Sequence, residues 1–152
     1  MEGARLRQPL DPEYIQELGV LSFCFAICEW NAVYCAERLR PGSLQKLVGD
    51  ELTAGEIAHK LKDLVRNMPA SAERAVLSKV AARFIELVSL RNQILHAKPC
   101  TSPNGHSRLS GSKIFEIEDL RAAADSFSEC SSELNRFLYG FLATYRPRLD
   151  SP

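Results

Sequence analysis

The sequence predicts an all-α protein, an antiparallel bundle of four and up to five helices, with a small loop or β-hairpin inserted after the third long helix. Four segments repeat apolar residues at helical spacing, and prolines or a glycine end them. At 152 residues the chain can bury one sizeable core but not two. We therefore expect one domain over residues 11–146, preceded by a flexible arm at 1–10 and followed by a tail at 147–152.

Composition limits the classes of partner. Lys plus Arg and Asp plus Glu both number 19, so no global positive charge holds a polyanion, and any nucleic-acid contact must be local. Five cysteines form an odd count without framework spacing, and nothing resembles a secretory signal. These observations favour a cytoplasmic protein with reduced thiols and no disulfides.

The first helix is predicted from Asp11, whose carboxylate can accept the free amides, to about Arg40, where Pro41 ends it. Pro12 suits the first helical position. The apolar run at 18–28 falls short of the roughly 20 residues that a membrane span needs. We expect a buried or interface helix here and no membrane.

The next two helices have clear start signals. Thr53 and Glu56 have the spacing of a capping box, after a possible short turn at "SLQKLV". Ser71 is the expected cap of the third helix, which closes before Pro99 because a proline disfavours helix in the residue before it.

The segment after the third helix reads as an insertion. "CTSPNGHSRLSGS" is rich in turn residues, and "HSRL" and "KIFEI" on either side of "SGS" are short enough to pair as a hairpin. A last helix is predicted from about Glu118 to Tyr145, before Pro147.

The third helix has an apolar stripe that polar residues interrupt. At 100° per residue, the stripe is formed by Leu77, Val80, Ala81, Phe84, Val88 and Leu95. Arg91 falls within it, and Asn92 and His96 border it. A buried guanidinium needs a carboxylate, carbonyl acceptors or an anion in a wet cleft. Arg91 and His96 lie about 140° apart on an ideal helix, so they converge only through the reach of Arg91, a loosened last turn or a second subunit.

The motif "RNQILH" resembles the arginine, polar residue, three variable residues and histidine of the HEPN superfamily of small helical domains. Many HEPN members are metal-independent RNases, often toxins or defence effectors, whose paired motifs meet across a homodimer. The resemblance implies a HEPN-type bundle and cleavage of RNA, such as tRNA or mRNA, without a metal or cofactor. It assigns phosphate binding to Arg91, the polar motif position to Asn92 and catalysis to His96.

The chain departs from one group of this family. HEPN toxins paired with a nucleotidyltransferase antitoxin commonly have a tyrosine two positions after the histidine, where this chain has Lys98. A cognate antitoxin therefore remains only a possible partner. Lys98, His106 and Arg108 are candidate substrate contacts, with a solvated lysine and a plain turn as the alternatives.

One structural explanation and one alternative function compete with a catalytic site. Arginine and histidine near the end of a helix also stabilise its negative end, typically by about 0.3–1 kcal/mol each. The alternative function is a non-catalytic HEPN-like module that binds a nucleotide or a protein partner.

Cys24, Cys28 and Cys35 share one stripe of the first helix, but no histidine joins them, which favours buried small hydrophobes over a metal site.

Overall fold

The computed structural model describes residues 3–4 and 8–147 and is mostly helical, with one small antiparallel sheet. The elements are α1 (Pro12–Leu39), α2 (Ser43–Gly49), α3 (Ala54–Arg66), α4 (Ala72–Leu95), β1 (Lys98–Thr101), β2 (Ser107–Ser110), β3 (Ile114–Phe115) and α5 (Ile117–Tyr139), followed by a 3-10 helix at Phe141–Ala143. The prediction of a mainly helical fold is confirmed. Half of the predicted arm and all but the first residue of the predicted tail lie outside the described residues.

The predicted helix starts are confirmed. Asp11 caps α1 and accepts the backbone N–H of Tyr14 at 3.3 Å. Thr53 and Glu56 form the reciprocal capping box of α3, and the Ser71 side chain caps α4. These caps satisfy amides that the first turn of a helix leaves without a partner, so local sequence sets where each helix begins.

The prediction of a purely antiparallel bundle is wrong for α1 and α5, which run parallel. Their contacts pair residues in the same order along both helices: Glu17 with Arg121, Asn31 with Ser131 and Cys35 with Leu134. α1 and α5 both begin beside the sheet, and α4 ends there. The chain can therefore leave α1 at the far end and return through the segment that contains α2.

The insertion after α4 is a three-stranded sheet with order β1-β2-β3. The predicted hairpin is confirmed as β2 and β3, with Leu109 opposite Phe115. β1 was not predicted; it pairs with β2 and places Lys98 opposite Ser110. The Tyr14 hydroxyl donates to the Phe115 carbonyl at 3.0 Å and accepts from the Leu109 amide at 3.2 Å. Tyr14 therefore fixes the sheet against the start of α1.

Three aromatic rings form the centre of the core. The Phe25 ring lies 5.2 Å from that of Phe127, edge to face, and 6.3 Å from that of Phe84. The predicted stripe of α4 is buried except at Leu95, which is 37% exposed. The prediction that Leu95 is buried is therefore wrong. α4 ends at this residue, and His96, which follows it, is also exposed.

The last helix ends six residues earlier than the predicted Tyr145. At Gly140 the chain leaves the helix with φ −104° and ψ −109°. A Cβ at this position would lie 2.6 Å from the carbonyl oxygen of Arg136. Such an approach is too close for any side chain, so glycine is needed for the exit.

α1 is long and apolar enough to cross a membrane, by length and composition alone. An 18-residue window of this helix has a mean hydropathy of 1.5, and 33% of that window is buried in the bundle. Core helices and signal sequences meet the same criterion. The expected absence of a membrane partner stays a prediction.

Candidate functional site

The motif residues lie where α4 gives way to the sheet. Arg91 and Asn92 lie in the last turns of the helix, and His96 is its C-cap, with its backbone N–H bonded to the Asn92 carbonyl at 3.0 Å. β1 begins two residues later at Lys98. The site therefore lies at a helix end, where free carbonyl groups favour positive charge.

Arg91 is half-buried and holds its guanidinium over an aromatic ring. The guanidinium carbon lies 5.0 Å from the centroid of Phe25, a cation–π geometry. Its Nη1 donates to the Asn92 side-chain oxygen at 2.9 Å. The Nε atom is buried and has no hydrogen-bond partner among the described residues. One hydrogen bond leaves most of the guanidinium's five donors free of protein acceptors.

No carboxylate within the described part of the chain forms an ion pair with Arg91. The acidic group that its charge affects is Glu29 on α1. Burial raises the pKa of the Glu29 carboxyl, and the positive charge of Arg91 acts in the opposite direction. Glu29 therefore offsets the charge of Arg91 through space but forms no ion pair with it, and an anion at the guanidinium would stabilise that charge directly.

His96 is exposed and lines an open cleft of about 570 Å³. The cleft lies between the end of α4 and the sheet, and its walls include Asn92, Lys98, Ser110 and Gly111. Lys98 is exposed on β1. A cleft with an imidazole, an ammonium and an amide can accept a proton and contact a phosphate.

Asn92 connects the motif residues, but Arg91 and His96 do not converge within one chain. Asn92 shares the cleft with His96 and bonds Arg91, whereas Arg91 does not line the cleft. The angular separation expected from the helical wheel is thus retained. A second cleft, of about 470 Å³, adjoins Asn92 on the side of α3 and includes His59. His59 is exposed on α3, and no local sequence signal connects it to Asn92.

The two other predicted substrate contacts lie away from this cleft. His106 is exposed in the turn between β1 and β2, where its backbone N–H donates to the Ser102 hydroxyl at 3.3 Å. Arg108 is only 7% exposed. Neither residue lines the cleft that holds His96.

Arg108 joins the sheet to the starts of two helices. Its Nε donates to Glu116 and its Nη1 to Asp11, both at 2.8 Å, and its guanidinium lies 4.8 Å from the Tyr14 ring centroid. The pKa of the Asp11 carboxyl is below its usual range, mainly because of the hydrogen bond from Arg108. With both carboxylates bound, this arginine has a structural role.

Metal chemistry has no visible site in the described ranges, 3–4 and 8–147, since no group of three or more His, Cys, Asp or Glu side chains is placed to hold an ion. All five cysteines are free thiols. Cys28 and Cys35 are buried and Cys24 is half-buried, as expected for small core residues.

Comparisons with protein-family profiles, with characterised proteins and with solved structures gave no significant match to this chain. The resemblance of "RNQILH" to the HEPN motif therefore rests on the residues themselves and on the helix that carries them.

Proposed function

We propose that this chain is a metal-independent endoribonuclease of the HEPN type that acts as a homodimer. The observation that carries the proposal is the half-buried Arg91, which forms no ion pair with a carboxylate of the described residues and bonds Asn92 beside the His96 cleft. A cation kept at the edge of an apolar core without a protein counter-ion is costly unless an anion occupies the site. The phosphate of RNA is such an anion, and arginine binds it through a planar fork.

Each motif residue has a role in the proposed reaction. His96 accepts the proton of the 2′-hydroxyl, whose oxygen then attacks the phosphorus. Arg91 stabilises the extra negative charge on the phosphate oxygens, and Asn92 orients Arg91. Water gives a proton to the leaving 5′ oxygen, and the hydroxide that results takes the proton back from the His96 imidazolium. The products are a 2′,3′-cyclic phosphate and a 5′-hydroxyl, and no electrons are exchanged.

The homodimer is part of the proposal because one chain does not bring Arg91 and His96 together. A second protomer can place its His96 near the Arg91 of the first, forming a composite site. Lys98 is the remaining cation in the cleft and is proposed to contact a neighbouring phosphate. Arg108 is left out because its donors already bind two carboxylates, and His106 because it lies in a turn outside the cleft.

The test is cleavage of purified tRNA and mRNA in the presence of a chelator. We expect the wild type to form cyclic-phosphate ends and His96→Ala to lose at least 100-fold in rate. His106→Ala is the matched control and should keep full activity. Equal activity in wild type and His96→Ala would reject the catalytic role of His96.

Mixing two inactive variants tests the composite site. Arg91→Ala and His96→Ala protomers, unfolded and refolded together, should regain part of the activity because a mixed dimer contains one intact pair. No recovery from a verified mixed dimer would mean that each site works within its own chain.

The alternative, a non-catalytic nucleotide- or protein-binding module, is favoured by one observation: Arg91 does not line the cleft of His96 within a chain. The non-catalytic alternative predicts a different result when the protein is incubated with RNA. The wild type would retain RNA in a filter-binding measurement but leave it uncut, and Arg91→Ala would lose that retention.

A further inference from the structure

The solvent-facing side of α1 has an apolar stripe that no other element in residues 8–147 covers. We call it the outer stripe; it consists of Gln16, Val20, Phe23, Ile27, Trp30 and Tyr34, all exposed. Phe23 is 69% exposed, and the other four large apolar side chains are 43–45% exposed. The six positions follow the alternating four- and three-residue spacing of a coiled-coil contact stripe and fall within about 80° on the helical wheel. None of the six is charged.

We propose that the outer stripe binds the same stripe of a second copy of this chain, with the two α1 helices antiparallel. The spacing of the stripe is symmetric about position 25. In an antiparallel pair with its axis there, position 20 faces 30 of the partner, 23 faces 27, and 16 faces 34. Apolar residues then meet apolar residues, and the amide of Gln16 meets the hydroxyl of Tyr34. A two-fold interface requires self-complementarity of this kind.

Charge at the ends of α1 favours the antiparallel arrangement over the parallel one. Glu13 and Arg38 lie at opposite ends of the helix, both exposed and both beside the outer stripe. Antiparallel pairing brings Glu13 of one copy next to Arg38 of the other. Parallel pairing would place like charges together at both ends and would also align the two helix dipoles unfavourably.

The area available fits a reversible dimer. The exposed parts of three aromatic and two aliphatic side chains amount to roughly 400–500 Å² per chain, given about 150–250 Å² for a whole aromatic residue. A standard specific interface buries about 800 Å² per partner. The stripe supplies about half of that area as apolar surface, and the polar flanks of a helix of 28 residues supply the rim.

A membrane is a weaker explanation of the same face. Helices that lie on lipid carry lysines and arginines along their polar side. The inner side of α1 instead packs on α5, and the residues that begin the helix are acidic, with Glu13 and Glu17 both bound to Arg121.

This interface goes beyond the proposed ribonuclease and does not create its composite site. Arg91 contacts Phe25, which points to the side of α1 opposite the outer stripe. Two helices, each about 10 Å across, would then separate the two Arg91 side chains by roughly 20 Å or more. The α1 pair is therefore a second self-association surface, separable from catalysis.

The test uses the full chain and a charge exchange across the predicted contact of positions 20 and 30. Val20→Glu and Trp30→Lys should each weaken self-association at least tenfold, because each buries a charge without a partner. The double variant V20E/W30K should recover self-association. In its antiparallel pair, the glutamate of each copy faces the lysine of the other copy. Val76→Glu is the matched control: Val76 is 52% exposed on α4, away from the stripe.

Sedimentation equilibrium over about a hundredfold concentration range measures the result. We expect Val20→Glu to halve the molar mass of the assembly and Val76→Glu to leave it unchanged. An unchanged mass for Val20→Glu overturns the interface, and failure of the double variant to recover overturns the antiparallel register. Wild-type binding to phosphatidylcholine–phosphatidylserine vesicles, lost in Val20→Glu without any self-association, would overturn the second copy in favour of lipid.

The ribonuclease assay on the same proteins separates the two proposals. Val20→Glu should cleave RNA like the wild type, because the outer stripe lies away from the motif. Self-association through the stripe without RNA cleavage would retain this interface and reject the proposed function.

Discussion

The guanidinium of Arg91 lies over the ring of Phe25, with 5.0 Å between the guanidinium carbon and the ring centroid. This contact places a permanent charge against the aromatic centre of the core, where, among the residues that the structure describes, the guanidinium donates one hydrogen bond, to the adjacent Asn92. A side chain chosen for stability alone would be apolar here. The arrangement is understandable if function requires the charge.

We expect Arg91→Met to fold with nearly wild-type stability. The change loses a cation–π contact and one hydrogen bond, each about 1 kcal/mol, but removes a buried Nε that has no partner among the described residues, at about 1–3 kcal/mol. Methionine also keeps contact with the Phe25 ring. Urea unfolding should give a free energy within about 1 kcal/mol of the wild type. A loss above about 3 kcal/mol would identify Arg91 as a structural residue.

Arg108 should behave in the opposite way. Arg108→Met leaves Asp11 and Glu116 without their common partner at the junction of α1, the sheet and α5. We expect the melting temperature to fall by about 5 °C or more, with no direct effect on the cleft of His96. The melting temperature is measured from thermal unfolding curves recorded by circular dichroism. Arg66→Met, which alters only an exposed ion pair with Asp63, is the control.

The same junction predicts a dependence of stability on pH. The bond from Arg108 lowers the pKa of Asp11 from its ordinary 3.8. A lowered pKa in the folded state stabilises the protein above pH 3.8, and this contribution is lost as the pH falls through the folded value. Between about pH 4 and 2 the wild type should therefore lose more stability than Asp11→Asn. Parallel curves for the two proteins would show that the ion pair does not couple to folding.

The cysteines should divide into two groups by reactivity. Cys28, Cys35 and Cys130 are buried, and burial raises the pKa of the Cys35 thiol to about 12. A buried thiol is out of reach of a reagent in solution, so these three should resist a thiol reagent in the native protein even though the hydrogen bond with Cys28 lowers the pKa of Cys130. Cys24 and Cys100 are half-buried and should react first. A disulfide-exchange reagent, with and without denaturant, counts both groups; fast reaction of three or more native thiols would contradict the packing.

Local sequence was sufficient where neighbouring residues determine the structure. Asp11, Thr53 with Glu56, and Ser71 marked helix starts because a cap bonds amides two or three residues away. The hairpin of β2 and β3 followed from the turn residues "SGS" between two short segments, "HSRL" and "KIFEI". The polar position of Arg91 within an apolar stripe was also visible from helical periodicity alone.

The tertiary structure decided what depends on distant parts of the chain. The parallel pairing of α1 with α5, and the ion pairs of Arg108 with Asp11 and Glu116, join groups that are far apart in sequence or that meet only once the sheet forms. No local pattern specifies such contacts, because many alternative pairings bury similar apolar area. By itself the sequence determined a helical bundle with an arginine at the edge of its core. Only the packed structure decided that, in the described part of the chain, this arginine forms no ion pair with a carboxylate while Arg108 forms two.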